Sequence, residues 1–195
     1  MIKQLQIANE VICYLKTIPL VKDCTLYGSL ANGNADRFSD IDICVDVSGY
    51  DNGAFMQTLP ELLCEKFNVL WYDFAPSLAP EQYIISVATD EENPFYVADF
   101  NCFAEPHITT VQKSDLENDT YTHVLKLWIA NCKHYIRGAC CSGDIHKMGR
   151  KCIGTSSDKL TDEQIIEEVL CRLQRNAPDR LKTYVSNCRK AWDNR

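Results

Sequence analysis

The sequence lacks any apolar run that approaches the ~18–20 residues required to span a membrane. Its N-terminus also lacks the charged and then apolar pattern of a secretory signal segment. Neither internal repeats nor a low-complexity segment are present. We therefore predict a soluble, cytoplasmic protein, and 195 residues with 46% hydrophobic content are enough to bury a sizeable core.

An excess of positive charge is also missing. The net charge is −7 and the sequence pI is about 5.1, which argues against a nucleic-acid substrate because such substrates usually require a basic surface. Residues 1–119 hold 6 Lys and Arg against 19 Asp and Glu, whereas residues 120–195 hold 14 against 8. The acidic part is suited to attract Mg²⁺ and a polycationic small molecule. The basic part either faces a triphosphate or is ordinary solvated helix surface.

Cysteine pairs at zinc-site spacing are absent as well. The eleven cysteines are an odd number in a chain too long for a small disulfide scaffold. No C-x2-C pair occurs, and Cys132 and His134 point to different faces of one predicted helix. We therefore predict reduced thiols and no zinc site. Several cysteines stand among apolar residues and are predicted to act as small hydrophobic side chains: Cys13, Cys44, Cys64, Cys132 and Cys171.

The most informative stretch that the sequence does contain runs from Leu26 to Val47, LYGSLANGNADRFSDIDICVDV. A short strand ends at Gly28, which allows close backbone approach to a phosphate, and Ser29 offers an N–H and a hydroxyl. After a polar loop, Asp40 and Asp42 alternate with apolar residues. Strand side chains alternate faces, so both carboxylates project the same way, roughly 7 Å apart at Cα.

Two such carboxylates suit a pair of Mg²⁺ ions, about 3.5–4 Å apart, that stabilise the attacking and leaving oxygens of a phosphoryl displacement. The alternative is a hairpin whose solvent face happens to be acidic. That alternative is disfavoured because the short Asp side chain competes for backbone hydrogen bonds and is depleted in strands.

The pattern of Gly28-Ser29, ten intervening residues and Asp40-Ile41-Asp42-Ile43 resembles the signature of the polymerase-β-like nucleotidyltransferase superfamily. The resemblance covers about Thr25 to Gly138. Within the superfamily, the chain is similar to the small antibiotic-type enzymes, the lincosamide and aminoglycoside nucleotidyltransferases. One departure is Leu30, because many relatives carry Arg or another polar residue directly after Gly-Ser.

This resemblance implies a metal-dependent enzyme that transfers a nucleoside monophosphate from an NTP to a hydroxyl of a small molecule and releases pyrophosphate. It implies two Mg²⁺ ions, ATP as the NTP, an aminoglycoside- or lincosamide-like acceptor and hence antibiotic resistance. A homodimer is also expected, since relatives often build the acceptor pocket across two chains. The alternatives are a nucleotidyltransferase that modifies a protein and a catalytically inactive nucleotide-binding module.

The third carboxylate has two candidates, Asp73 and Asp99, each with apolar neighbours on both sides in a predicted strand. Shorter relatives place this acid soon after the helix, which favours Asp73. The antibiotic-type relatives place it on the later hairpin strand, in a setting similar to V-A-D-F-N-C-F. We therefore prefer Asp99 as the third metal ligand and as the base that accepts the proton of the acceptor hydroxyl.

Two basic residues are predicted to contact the nucleotide. Arg37 is a predicted phosphate contact from the loop that precedes Asp40. In the resembling enzymes a basic residue on the helix after the catalytic domain binds phosphates, which suggests Lys133; simple solvent exposure is the alternative for this side chain.

The periodicity predicts an α/β fold: a small, mixed, twisted sheet of nucleotidyltransferase type with helices behind it, followed by a C-terminal helical bundle. The boundaries are a catalytic domain at 1–118 and a helical domain at 119–195. The predicted helices cover Ile2–Lys16, Ala54–Phe67 (with Pro60 kinking it or marking a start near Leu59), about 120–137, a short segment within 139–155, about 161–176 and 179–192. The predicted strands cover Val21–Tyr27, 40–45, Val69–Phe74, Gln82–Ala88 and Phe95–Phe103, with the last two forming an antiparallel hairpin.

Overall fold

The computed structural model describes residues 3–75 and 82–195. The chain divides into two compact units. The first unit comprises Met1–Asp90 and Tyr96–Asn118, and the second comprises Glu91–Phe95 and Asp119–Arg195. The segment Glu91–Phe95, which connects two strands of the first unit, thus belongs to the second.

The first unit is built around a five-stranded mixed sheet. Its elements are helices α1 (Lys3–Leu15), α2 (Gly28–Ala31) and α3 (Asn52–Cys64), and strands β1 (Asp23–Tyr27), β2 (Ile41–Asp46), β3 (Trp71–Phe74), β4 (Tyr83–Ala88) and β5 (Val97–Phe103). The strand order is β1-β2-β5-β4-β3, and every pair is antiparallel except β2 with β5, which is parallel. The predicted α/β class with a mixed sheet and the β4–β5 hairpin are confirmed.

One face of this sheet is apolar and forms the core of the first unit. Ile41, Ile43 and Val45 of β2 are fully buried, and Phe100 of β5 is nearly so. Helix α1 packs against β1 and β2, and α3 packs against β4 and β5. Because side chains along a strand alternate between the two faces of the sheet, burial of Ile41, Ile43 and Val45 places Asp42 and Cys44 on the opposite face.

Helix α3 begins earlier than the sequence predicted. The expected start at Ala54 or Leu59 is wrong, because Asp51 caps the helix and accepts a hydrogen bond from the Ala54 N–H at 2.8 Å. The other carboxylate oxygen of Asp51 accepts bonds from the backbone N–H and hydroxyl of Thr110, at 2.6 and 2.8 Å. Pro60 lies inside the helix, at the position where it cannot donate to the carbonyl of Met56.

Several predicted strands are too long at their start. β1 begins at Asp23, β3 at Trp71 and β5 at Val97, in each case two residues later than expected. Strand pairing begins only at these residues. In β3 the first paired residue is Trp71, opposite Ala88 of β4, and in β5 it is Val97, which pairs with Ala88 from the other side of β4. The predicted first residue of α1, Ile2, lies outside the described residues.

The second unit contains α4 (Thr120–Ile136), α5 (Ser142–Cys152), α6 (Asp162–Arg175) and α7 (Lys182–Asp193). Asp119 caps α4, and Thr161 with Gln164 forms a capping box on α6. Glu167 of α6 joins this helix to α7: it accepts hydrogen bonds from Arg189 at 2.8 Å and from the Trp192 indole N–H at 2.7 Å. The Arg189 hydrogen bond is the main reason why the pKa of Glu167 is lowered to about 2.

All eleven cysteines are free. Cys132 is buried and fits the predicted role of a small hydrophobic side chain, but Cys13 and Cys64 are exposed, so that prediction is wrong for these two. Cys13 lies on the exposed side of α1, and Cys64 is the exposed last residue of α3. Across residues 3–75 and 82–195, no helix has the length and apolar character needed to cross a membrane.

Candidate active site

The parallel pairing of β2 with β5 brings the acidic residues of the two strands together. Asp42 is the direct register partner of Asp99, so their side chains leave the same face of the sheet side by side. Asp40 precedes β2 by one residue and, two positions before Asp42, projects to that face as well. Each of the three carboxyl groups is half-buried and offers an oxygen, and these oxygens all lie within 4.8 Å of one another.

A polar row crosses the sheet at the level of Asp42 and Asp99. Register pairs link Tyr27 to Asp42, Asp42 to Asp99, Asp99 to Ser86 and Ser86 to Asp73. The structure therefore places both candidate third acids in one row, but Asp73 is fully buried on β3 and is not a member of the three-carboxylate cluster. β4 separates Asp73 from Asp99.

Ser86 is a site residue that the sequence analysis missed. Its side chain is 2% exposed, and its hydroxyl donates a hydrogen bond to Oδ1 of Asp99. The sequence did hold a signal, because the predicted hairpin joins the strand of Ser86 to the strand of Asp99. Only the register, set by the full ladder, shows that these two residues face each other.

Gly28 lies directly against Asp42. Its φ of +68° belongs to the left-handed region that favours glycine. A Cβ atom at this position would collide with the Asp42 carboxylate and would lie 2.9 Å from its Cγ. The turn after β1 therefore has room for the Asp42 side chain only because residue 28 has none.

A hydrogen-bonded turn fixes the backbone just before Asp40. The Ser39 side chain is buried, accepts a bond from the Asp36 N–H at 2.9 Å and donates to the Asp36 carboxylate at 3.1 Å. Gln4, buried on α1, donates to the Asp36 carbonyl at 2.9 Å. The otherwise exposed loop is thus held at its base, where Asp40 enters the cluster.

The predicted nucleotide contacts lie in three different settings. Ser29 lies in the short helix α2, half-buried next to Gly28. Arg37 is exposed on the loop, with its guanidinium 4.6 Å from the centre of the Phe38 ring. Lys133 lies on α4 in the second unit and is only 9% exposed, so simple solvent exposure is wrong for this side chain. The nucleotide-binding role of all three stays a prediction.

The phenol of Tyr27 responds to the charge of the cluster. Partial burial of its ring, followed by the negative charges of Asp42 and Asp99, raises the pKa of Tyr27 to about 12. A nearby negative charge disfavours the phenolate, which is why the carboxylates act in this direction. The face of the sheet at this row is thus a region of negative potential.

The donor set fits a hard divalent cation. Mg²⁺ takes oxygen ligands at about 2.1 Å in octahedral geometry, so ligand oxygens of one ion lie roughly 3–4 Å apart. Three carboxylate oxygens within 4.8 Å of one another therefore need only a small adjustment to share one ion or to bridge two. Cations would also offset the mutual repulsion of the three charges.

Comparison with known proteins agrees with this chemistry. Residues 8–97 match the family described as nucleotidyltransferase domain. The matched range includes Gly28, Asp40 and Asp42 and ends just before Asp99. The match and the carboxylate cluster together support a transferase. No curated protein sequence matches the chain.

Solved structures that resemble the chain include the Cid1 poly(U) polymerase, at 19% identity and a TM-score of 0.37, covering 86% of this chain and 46% of that chain. The structure of the GLD-2/RNP-8 complex is 16% identical with a TM-score of 0.39, and the match covers 100% of this chain and 57% of that chain. The polymerase core of TRAMP, an RNA surveillance complex, is 14% identical with a TM-score of 0.38, and the match covers 94% of this chain and 55% of that chain. The chain spans about half the length of each. Closeness to the antibiotic-type enzymes stays a prediction.

The contact between Gly28 and Asp42 can be tested with a matched pair of glycines. Gly28→Ala should displace the Asp42 carboxylate and weaken Mn²⁺ binding by about 10-fold or more, measured by electron paramagnetic resonance. Gly33→Ala is the control, because Gly33 has a similar φ of +72° but nothing within 4 Å of its Cβ position. Both variants should lose about 1–2 kcal/mol of stability through backbone strain. Equal Mn²⁺ affinity of the two variants would contradict the proposed contact.

The field of the carboxylates can be measured through Tyr27. In Asp42→Asn, the pKa of Tyr27 should fall below about 12. It should stay above ~10, the value of free tyrosine, because burial of the ring remains. Spectrophotometric titration of tyrosinate, with the Tyr27→Phe variant subtracted, gives this pKa. Asp46→Asn, on the same face of β2, is the control and should leave the pKa unchanged. A Tyr27 pKa that is equal in Asp42→Asn and wild type would show that the carboxylate field is negligible there.

Proposed function

We propose that the chain is a nucleotidyltransferase that moves AMP from Mg-ATP to a hydroxyl of a small molecule and releases pyrophosphate. The observation that carries this proposal is the cluster of Asp40, Asp42 and Asp99 on adjacent parallel strands. The nucleotidyltransferase-domain match over residues 8–97 supports the reaction class independently of the geometry.

The three carboxylates would share two tasks. Asp40 and Asp42 would hold the divalent cations, with Asp99 as a shared ligand. The bound cations would neutralise charge on the triphosphate and on the leaving pyrophosphate. Asp40 and Asp42 reach the site from a turn and a strand that are both fixed in place, so their carboxylates need little rearrangement to bind.

Asp99 would act as the base. The acceptor oxygen forms a bond to the α-phosphorus while the bond from that phosphorus to the β-phosphate oxygen breaks, and pyrophosphate leaves. The hydroxyl proton passes to a carboxylate oxygen of Asp99. A carboxylate on a rigid central strand suits this role, because a base must lie within hydrogen-bonding distance of the attacking oxygen.

The triphosphate would bind at the turn after β1. Gly28 allows the backbone to come close, and the Ser29 N–H and hydroxyl are suited to a phosphate oxygen. Arg37, exposed on the loop before Asp40, would contact a phosphate oxygen.

The acidic composition of the chain supports a cationic small molecule over a nucleic acid as acceptor. Residues 1–119 carry 19 Asp and Glu against 6 Lys and Arg. A strongly negative surface attracts a polycation, such as an aminoglycoside, and repels a polyphosphate backbone. An antibiotic acceptor would make the chain a resistance enzyme.

The test is pyrophosphate release from each NTP with Mg²⁺ in the presence of candidate acceptors. The panel contains aminoglycosides, lincosamides, an RNA oligonucleotide with a free 3′-hydroxyl, and a casein-type protein. Wild type should release pyrophosphate from ATP with a small hydroxylated acceptor. Asp42→Asn and Asp99→Asn should each lower kcat/KM by about 100-fold or more, because each removes charge that the transition state needs.

Asp46→Asn is the matched control, since Asp46 lies on β2 and on the same face but outside the cluster, and it should keep wild-type activity. Activity retained by Asp99→Asn and lost by Asp73→Asn would transfer the base to Asp73. Release with RNA or protein alone would overturn the small-molecule acceptor but keep the reaction. Nucleotide binding without any release would favour an inactive binding module.

A further inference from the structure

We propose that Ser86 is a positioning residue for Asp99, which its hydroxyl holds in the orientation required for metal binding and proton transfer. This inference rests on the proposed function of the carboxylate cluster. It assigns a role to a residue of β4, a strand that contributes none of the three acids.

The geometry behind this assignment is the hydrogen bond between the side chains of Ser86 and Asp99. Ser86 and Asp99 are direct register partners on the antiparallel strands β4 and β5, so their side chains are neighbours on one face. The Ser86 hydroxyl donates to Oδ1 of Asp99. Ser86 is 2% exposed, whereas Asp99 is half-buried, so the donor is shielded from water and the acceptor extends toward the open side.

The bond matters because Asp99 is the cluster member with the most demanding role. Its short side chain has two torsions, and a carboxylate that rotates freely would present its oxygens in many directions. A donor at Oδ1 fixes the plane of the group. A carboxylate offers about four lone-pair sites, so one hydrogen bond leaves capacity for a cation or a proton. Partners of this kind typically change metal affinity by roughly 10–100-fold when they are removed.

The location of Ser86 also separates this role from simple packing. The apolar core of the first unit lies on the opposite face of the sheet, where Ile85 and Val87 are fully buried. Ser86 lies between Asp99 and Asp73 in the polar row, and its hydroxyl can donate a hydrogen bond to a carboxylate. An apolar residue of the same size would fill the space but leave Asp99 Oδ1 without this donor.

The experiment measures Mn²⁺ affinity by electron paramagnetic resonance and, in parallel, kcat and KM for ATP in the pyrophosphate assay. Ser86→Ala should bind Mn²⁺ about 10-fold more weakly than wild type, with kcat lowered and the KM for ATP changed by less than about 3-fold. Ser86→Thr keeps the hydroxyl on a strand-compatible side chain and should restore Mn²⁺ affinity to within about 3-fold of wild type. Ser86→Cys keeps the volume with a weak donor and should resemble Ser86→Ala.

Ser157→Ala is the matched control. Ser157 is fully buried and its hydroxyl donates to the Gly154 carbonyl at 2.7 Å, but it lies in the second unit. It should leave Mn²⁺ affinity unchanged. If Ser86→Ala bound Mn²⁺ as tightly as wild type, or if Ser157→Ala lost as much Mn²⁺ affinity as Ser86→Ala, the role of Ser86 would be overturned but the proposed function would stand. Wild-type protein that binds no Mn²⁺ would overturn both the inference and the proposed function. Mn²⁺ binding that depends on Ser86, without pyrophosphate release for any acceptor, would overturn only the proposed function.

Discussion

The parallel pairing of β2 with β5 is the constraint on which the site depends. The two strands are far apart in sequence, and their register sets Asp42 directly beside Asp99. A slip of one residue would turn Asp99 into the apolar core and bring Ala98 or Phe100 to the polar face. That slip is opposed by the burial of Ile41, Ile43 and Phe100 on the other face. The hydrophobic core thus fixes the position of a charged cluster that lies on the opposite face of the sheet.

Local features then adjust each acid individually. A turn closed by Ser39 and Gln4 fixes the approach to Asp40, and a glycine in the left-handed region makes room for Asp42. Ser86 donates to Asp99 from the next strand. These supports come from α1, the turn before β2, the start of α2 and strand β4. The site therefore depends on the fold of the whole first unit. Its three acids, however, lie close together in the sheet: Asp42 is in β2, Asp99 is in β5, and Asp40 directly precedes β2.

The sequence was sufficient for the features that depend on short-range periodicity. Alternation along β2 predicted that Asp40 and Asp42 share a face, and the α/β class with its hairpin followed from the same patterns. Long-range features needed the structure. Asp99, and not Asp73, lies beside Asp42 because β5 is the strand next to β2. The local sequence does not distinguish the two acids, since each stands between apolar residues in a strand. The start of α3 depends on Asp51, which is held by Thr110 from a distant loop. The exposure of Cys64 depends on which side of α3 meets the sheet.

The metal site at the three carboxylates can be tested most directly by crystallography of the protein with Mn²⁺ and a non-hydrolysable ATP analogue, using the anomalous signal of manganese. We expect anomalous peaks about 2.1 Å from oxygens of Asp40, Asp42 and Asp99, with the analogue's triphosphate at the turn of Gly28 and Ser29. Nucleotide bound at that turn with no manganese at the three carboxylates, or manganese bound elsewhere, would contradict this metal site.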